Sequence, residues 1–197
     1  MQQSFFNTDL LALKNAQVKY TPNFFPTAEA DIIFQELKQK TPWQEDDIKV
    51  FGKIYKQPRL TALYGTKSYS YASINMHPIP FTATLLKIKD AIEKYSGDQF
   101  NVCLLNRYRS GSDSNGWHSD DEKSLGKNPI ISSLSFGGTR NFKMRHKTDS
   151  TLKFTIPLEH NSLLEMKGET QHFWQHQIPK TKKDVSERIN LTFRWIN

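Results

Sequence analysis

From residue 188 to 195 the chain reads RINLTFRW, and its apolar positions alternate. Successive side chains of an extended strand point to opposite faces, so Ile189, Leu191, Phe193 and Trp195 share one face. The other face carries Arg188, Asn190, Thr192 and Arg194. Similar runs fill the chain after Gly97: FNVCLLNRYR, PIISSLSFG, RNFKMRHK, LKFTIPL, SLLEMKG and HFWQHQIP, with Gly, Asn, Asp and Pro between them. Short strands in this number, separated by turn residues, predict an antiparallel sandwich or barrel.

Upstream the period changes. In TAEADIIFQELKQK, residues 27–40, Ile33 and Leu37 stack at a spacing of four, with Thr27 placed to cap the start and Pro42 to end it. In residues 81–96, Leu85, Ile88, Ile92 and Tyr95 form one stripe, and Gly97 supplies the exit. Two helices are therefore expected on the outside of the β structure. Residues 43–80 are rich in Tyr and Lys, show little period, and read as loops and short hairpins lying over it.

Composition narrows the class. A chain of 197 residues that is 37% hydrophobic, with 13 Phe, is globular and of one-domain size. Its net charge of +7 favours a polyanionic partner without requiring one. Cys103 is the one cysteine, which excludes an internal disulfide and a multi-cysteine zinc site and points to a reducing compartment. The start, MQQSFFNTDLLALKN, lacks a basic segment followed by a long apolar run, so no signal peptide is expected. No stretch approaches the roughly 18 apolar residues that span a bilayer. The expectation is one intracellular domain, in the cytoplasm or in the nucleus of a eukaryote.

The candidate chemistry begins at GWHSDDE, residues 116–122. His118 and Asp120 lie two apart, so in an extended segment both can reach one metal ion. A second imidazole must come from elsewhere, and His146, His160, His172 and His176 lie downstream. His172 and His176 have a helical spacing, but Phe173 stands where a zinc protease needs Glu. On a strand they share a face, so geometry does not choose between them. Two histidines and a carboxylate on one side of a metal form the facial triad of non-haem Fe(II) oxygenases. The largest class of these draws electrons from 2-oxoglutarate, a dicarboxylate that arginine can grip through paired hydrogen bonds. Arg188 and Arg194 on the polar face of RINLTFRW suit that task, as do Asn106 and Tyr108 on the polar end of FNVCLLNRYR.

At this point the chain resembles the AlkB family of Fe(II)- and 2-oxoglutarate-dependent oxygenases. The motifs NRYRSGSDSNGWHSDDE, PIISSLSFGGTRNFKMRHK, WQHQIP and RINLTFR occur in order from about residue 98 to the end. The resemblance implies a mainly β fold with flanking helices, a double-stranded β-helix or jelly-roll barrel under a nucleotide-recognition lid. It divides a single domain, 1–197, into an N-terminal segment with a helix (1–42), the lid (43–80), a support helix (81–97) and a catalytic barrel (98–197). It assigns iron to His118, Asp120 and His176, and 2-oxoglutarate to Asn106, Tyr108, Arg188, Asn190 and Arg194. Arg188 would meet the distal carboxylate, with Arg194 nearer the metal and Asp120. The co-substrates are 2-oxoglutarate and O2.

Upstream, KVFGKIYKQPRLTALYG resembles the lid of the branch that repairs double-stranded DNA. There a finger, here Val50, Phe51 and Gly52, would fill the gap left by a flipped base. By the same resemblance Arg59 lies near the extruded base, Tyr69 and Tyr71 line its pocket, and Asp121 and Glu122 face its exocyclic edge. A base methylated on a Watson–Crick ring nitrogen, such as 1-methyladenine or 3-methylcytosine, is cationic, and carboxylates in a poorly solvated pocket favour it. The family reaction hydroxylates the methyl group, releasing formaldehyde, succinate and CO2. The expected partner is alkylated DNA, duplex and single-stranded, with RNA as a further candidate, and the expected state is a monomer. The alternatives are an oxygenase acting mainly on RNA or protein, and a binder of damaged nucleic acid without turnover.

Trp117 beside the first iron ligand, and the short connection KTDSTLK at 147–153, depart from the double-strand branch. Arg140, Lys143, Arg145, His146 and Lys147 in RNFKMRHK read equally as a solvated strand face or as a phosphate track. Lys180, Lys182 and Lys183 invite the same choice.

Overall fold

The computed structural model describes residues 9–50, 52–67, 69–71 and 74–197, with backbone alone at 9, 10, 48–50, 69–71 and 74–76. In chain order the elements are β1 (Asp9–Leu11), β2 (Gln17–Thr21), α1 (Thr27–Lys40), β3 (Asp47–Val50), β4 (Lys53–Lys56), β5 (Leu60–Gly65), β6 (Tyr69–Tyr71), β7 (Ile74–Met76) and α2 (Ala83–Ser96). They continue as β8 (Val102–Tyr108), β9 (Asn115–His118), β10 (Ile131–Gly137), β11 (Arg140–His146), β12 (Lys153–Leu158), β13 (Ser162–Lys167), α3 (Thr170–Phe173), β14 (Trp174–Ile178) and β15 (Arg188–Arg194).

The helices follow the apolar periods. In α1, Ala30, Ile33 and Leu37 are buried, although the N-cap is Pro26 and no side chain caps the start. In α2 the Thr82 hydroxyl accepts from the Leu85 amide, Leu85, Ile88 and Ile92 are buried, and Gly97 ends the helix at φ +76°.

The strands form a seven-stranded sheet, ordered β1-β2-β13-β10-β15-β8-β5, and a four-stranded sheet, ordered β12-β11-β14-β9. The pairings within both are antiparallel. This corrects the expected jelly-roll barrel. Among the described residues no edge strand of one sheet pairs with the other, so the sheets stay open and stack face to face. Alternation along a strand specifies which face is buried, but not whether outer strands bond across a gap, and here side-chain contacts rather than ladder hydrogen bonds join the layers.

Residues 43–80 hold the expected short hairpins and one strand besides. β3–β4 and β6–β7 are two-stranded hairpins, whereas β5 joins the large sheet beside β8, with Thr61 opposite Asn106. Two apolar layers result. Between the sheets lie Val18, Ile131 and Leu164 from one side and Met144, Ile156 and Trp174 from the other. Behind the large sheet, the helix stripes pack on Leu105, Leu134, Leu163, Leu191 and Phe193. Each such side chain, fully buried, contributes about 1.5–3 kcal/mol. Leu191 and Phe193 thus face the helices, which turns the polar face of β15 inward between the sheets. Trp195 falls beyond the strand and is 48% exposed.

Candidate active site

The small sheet sets the centre of the site. Opposite register in β9 and β14 pairs His118 with His176, and their rings lie 4.2 Å apart between centroids. Asp120 follows two residues after His118 and is 1% exposed. One ligand atom from each of His118, Asp120 and His176 falls within 4.8 Å of the others. His118 Nδ1 sits 2.8 Å from the Gly116 carbonyl, which places its proton there and leaves Nε2 to accept or ligate. His176 is stacked on Phe142 at 5.0 Å, the Asp120 amide donates to Gln171 Oε1, and Ser119 Oγ donates to the Trp174 carbonyl. Both imidazoles are therefore oriented by a further contact, and the backbone that carries Asp120 is held in place.

Burial pushes the Asp120 carboxyl up, but Arg194 and the two imidazoles outweigh it and hold it at about 2. Burial and the neighbouring His118 lower His176 to about 3, and burial lowers His118 as well. Both imidazoles are neutral and Asp120 is anionic at neutral pH, the protonation states that bind a cation.

The polar face of β15 answers this cluster from the large sheet. Arg194 Nη2 donates to Asp120 Oδ1 at 3.0 Å. Arg188 is 1% exposed; its Nη2 donates to Ser135 Oγ at 2.9 Å, while Nε and Nη1 have no hydrogen-bond partner among the described residues. Burial brings the Arg188 guanidinium down to about 10, so it stays a cation at neutral pH. A buried cation with two unanswered donors is costly alone and suits an incoming carboxylate. Tyr108 lies beneath it, 5.1 Å from ring centroid to guanidinium carbon. Asn190 donates to Ser133 Oγ and the Leu134 carbonyl, and Asn106 Oδ1 accepts from Arg59 Nε at 2.7 Å. All eight residues expected around iron and 2-oxoglutarate line one pocket of about 520 Å³ including its mouth, and Arg59 joins them.

Other expected residues fall elsewhere. His172 is on α3, not on the strand, and its Nε2 contacts Asn128 Oδ1, away from the cluster. His146 Nδ1 accepts from the Thr148 and Asp149 amides, and His160 Nδ1 from the Gly137 amide. Asp121 is exposed and paired with Lys147 at 3.2 Å, and Glu122 is half-buried outside the pocket lining. Gly52 is the exposed turn of the β3–β4 hairpin at φ +79°. Phe51 and the side chains of Val50, Tyr69 and Tyr71 lie outside the described residues.

Two residues of RNFKMRHK, Arg140 and His146, are buried rather than on a basic surface. Arg140 is 3% exposed and donates to the carbonyls of Ser110, Asp113 and Pro179. It thereby ties the loops that carry Ser110 and Pro179, with its guanidinium carbon 5.6 Å from the centroid of the Tyr108 ring. Its alternation with Phe142 and Met144 in RNFKMRHK was the available signal.

A family model described as the 2OG-Fe(II) oxygenase superfamily matches residues 17–194. The chain is 45% identical over 195 residues to alpha-ketoglutarate-dependent dioxygenase alkB homolog 3 of Bos taurus, covering 92% of this chain and 66% of that protein. It is 46% identical over 184 residues to the Homo sapiens protein of that name, covering 89% and 64%. Against the DNA oxidative demethylase ALKBH2 of Homo sapiens the figures are 40% over 185 residues, 87% and 70%. The chain thus spans slightly under two thirds of the alkB homolog 3 proteins. Identity is higher to alkB homolog 3, which corrects the expected place nearest the double-strand repair branch. That expectation leaned on a short finger motif, whereas identity sums the whole chain.

Two solved structures share the fold. One, described as the structure of OsALKBH1, superposes with a TM-score of 0.61 at 19% identity, covering 90% of this chain and 96% of that one. The other is a prolyl hydroxylase from Trichoplax adhaerens in complex with a hypoxia inducible factor peptide, with a TM-score of 0.63 at 10% identity, covering 91% and 83%.

Proposed function

The chain belongs to the 2OG-Fe(II) oxygenase superfamily, within its AlkB family, and so takes Fe(II) and 2-oxoglutarate; on that premise we propose that it oxidatively demethylates N-alkylated bases in DNA. The observation that carries this reading is one pocket holding both the His118–Asp120–His176 cluster and the two unanswered donors of Arg188. The chemistry of the donor set fits both groups: two neutral imidazoles and a carboxylate for a ferrous ion, a buried guanidinium for a dicarboxylate. When bound, iron and the keto acid supply oxidation of a C–H bond by dioxygen, coupled to decarboxylation of the keto acid to succinate. The protein's share is binding and orientation. Arg194 aims Asp120, Gly116 sets the His118 tautomer, Arg188 and Tyr108 receive the distal carboxylate, and the sheets exclude water around them.

The same reading extends to the substrate. The segment 43–80 acts as the lid over an extruded base, with Val50, Phe51 and Gly52 as its finger, and Arg59, Tyr69 and Tyr71 beside the base. Asp121, paired with Lys147, and Glu122 lie outside the pocket lining and take no part in holding the base in this reading. A monomer suffices, working inside the cell, where Cys103 stays reduced. No helix among the described residues is long and apolar enough to cross a membrane.

The test is an anaerobic incubation with Fe(II) and 2-oxoglutarate, followed by air and oligonucleotides carrying 1-methyladenine or 3-methylcytosine. Single-stranded DNA, duplex DNA and RNA are run in parallel. Loss of the methyl group by mass spectrometry, with formaldehyde and succinate in equal amounts, is expected on DNA. Succinate without base repair on any of the three would refute the demethylase.

A further inference from the structure

The outer face of the four-stranded sheet is charged in a way the fold itself does not need. Strands β9, β11, β12 and β14 contain no Asp or Glu. Phe142, Met144 and Ile156 point into the core, so their neighbours Lys143, Arg145 and Lys153 point out. Arg145 stands directly opposite Lys153 in the β11–β12 register. Like charges facing each other across strands destabilise a sheet. None of Lys143, Arg145 and Lys153 has an ion pair among the described residues, whereas nearby Lys147 is already matched by Asp121.

Arg145 is also held flat. Its Nε and Nη2 both donate to Gln175 Oε1, at 3.0 and 2.8 Å, and its guanidinium lies 4.2 Å over the Trp117 ring. An immobilised planar cation loses little further freedom on meeting an anion. The patch adjoins the site. Trp117 immediately precedes His118, and Gln177, opposite Lys143, also lines the pocket.

We propose that this face is a track for the phosphodiester backbone of the strand whose modified base enters the pocket. Lys143, Arg145 and Lys153 contact phosphates, with Trp117 and Gln175 setting the Arg145 plane. The proposal rests on the nucleic-acid reading above and adds to it where the unmodified part of the strand runs. Contacts of this kind are indifferent to sequence and weaken with salt.

The experiment measures binding of a labelled single-stranded DNA oligonucleotide carrying one 3-methylcytosine, by anisotropy over a series of salt concentrations. The wild type is compared with Arg145→Gln and with the double variant Lys143→Gln/Lys153→Gln. Each lost phosphate contact should lower the slope of log K against log salt by about 0.7, and the double variant should bind about tenfold more weakly at low salt. The KM for 2-oxoglutarate should match the wild type. In the double variant, whose lysines lack the Gln175 and Trp117 contacts of Arg145, removing like charges should leave Tm unchanged or raise it, which separates the effect from misfolding. Variants with the wild-type slope, or a wild type that prefers anionic vesicles to DNA, would overturn the track. A wild type that repairs no oligonucleotide would overturn the underlying reading, and the track with it.

Discussion

Asp120 and Arg194 are 74 residues apart in the chain, and their Oδ1 and Nη2 atoms are 3.0 Å apart. The contact joins the two sheets at the metal cluster. It keeps Asp120 anionic in a buried place and points its carboxylate. Partners of metal-ligating carboxylates typically change metal affinity by about 10–100-fold when removed. Arg194→Met should weaken Fe(II) binding by about that factor, read by titration under anaerobic conditions. Affinity equal to the wild type would show that Asp120 is aimed by other contacts.

The two ligands of the H-x-D pair should differ in the metal-free protein. His118 is half-buried and neutral, so His118→Ala should abolish turnover while costing about 1 kcal/mol or less in urea unfolding. Asp120→Ala should abolish turnover and also destabilise by about 3–5 kcal/mol, because the buried Arg194 loses its carboxylate. Equal stabilities of the two variants would contradict the coupling between the sheets.

Arg188 should show the reverse sign. Its desolvation is answered in part by Ser135 and Tyr108, with two donors left over. Arg188→Met should leave the metal-free protein at least as stable as the wild type. It should also erase the thermal stabilisation by 2-oxoglutarate, which at a hundredfold excess over Kd is worth about 2.7 kcal/mol in the wild type. A variant still stabilised by the keto acid would mean that its carboxylate binds elsewhere.

Stability of the metal-free protein should fall in acid in two stages. His176 has its folded pKa lowered to about 3 from 6.5, so the unfolded chain takes up a proton first and stability declines as pH falls below about 6.5. Asp120, held at about 2 against 3.8, adds a second loss between those values. Urea unfolding with a chelator present, at a series of pH values, checks both. His176→Gln should remove most of the first stage, and an unchanged slope would place the titrating group elsewhere.

Much of the site could be read along the chain because its motifs are local. His118 and Asp120 lie two apart, and the polar face of β15 shows in one alternating run. The choice between His172 and His176 could not be made that way. It depended on a short helix ending at Phe173 and on the β9–β14 register, neither of which has a strong local signature. Arg140 was misread for a related reason: charge suggests solvent, and three distant carbonyls had to be in place before burial became affordable.

The sequence by itself determined the two helices, the faces of most strands and the types of ligand, since these follow from periods of 3.6 and 2 and from the chemistry of each side chain. Only the tertiary structure decided that the sheets remain open, that β5 joins the larger one, that Arg194 serves Asp120, and that Lys143, Arg145 and Lys153 share an outer face without a carboxylate. Those outcomes depend on which strands lie side by side, and strand pairing is a contest among distant segments that no local pattern settles.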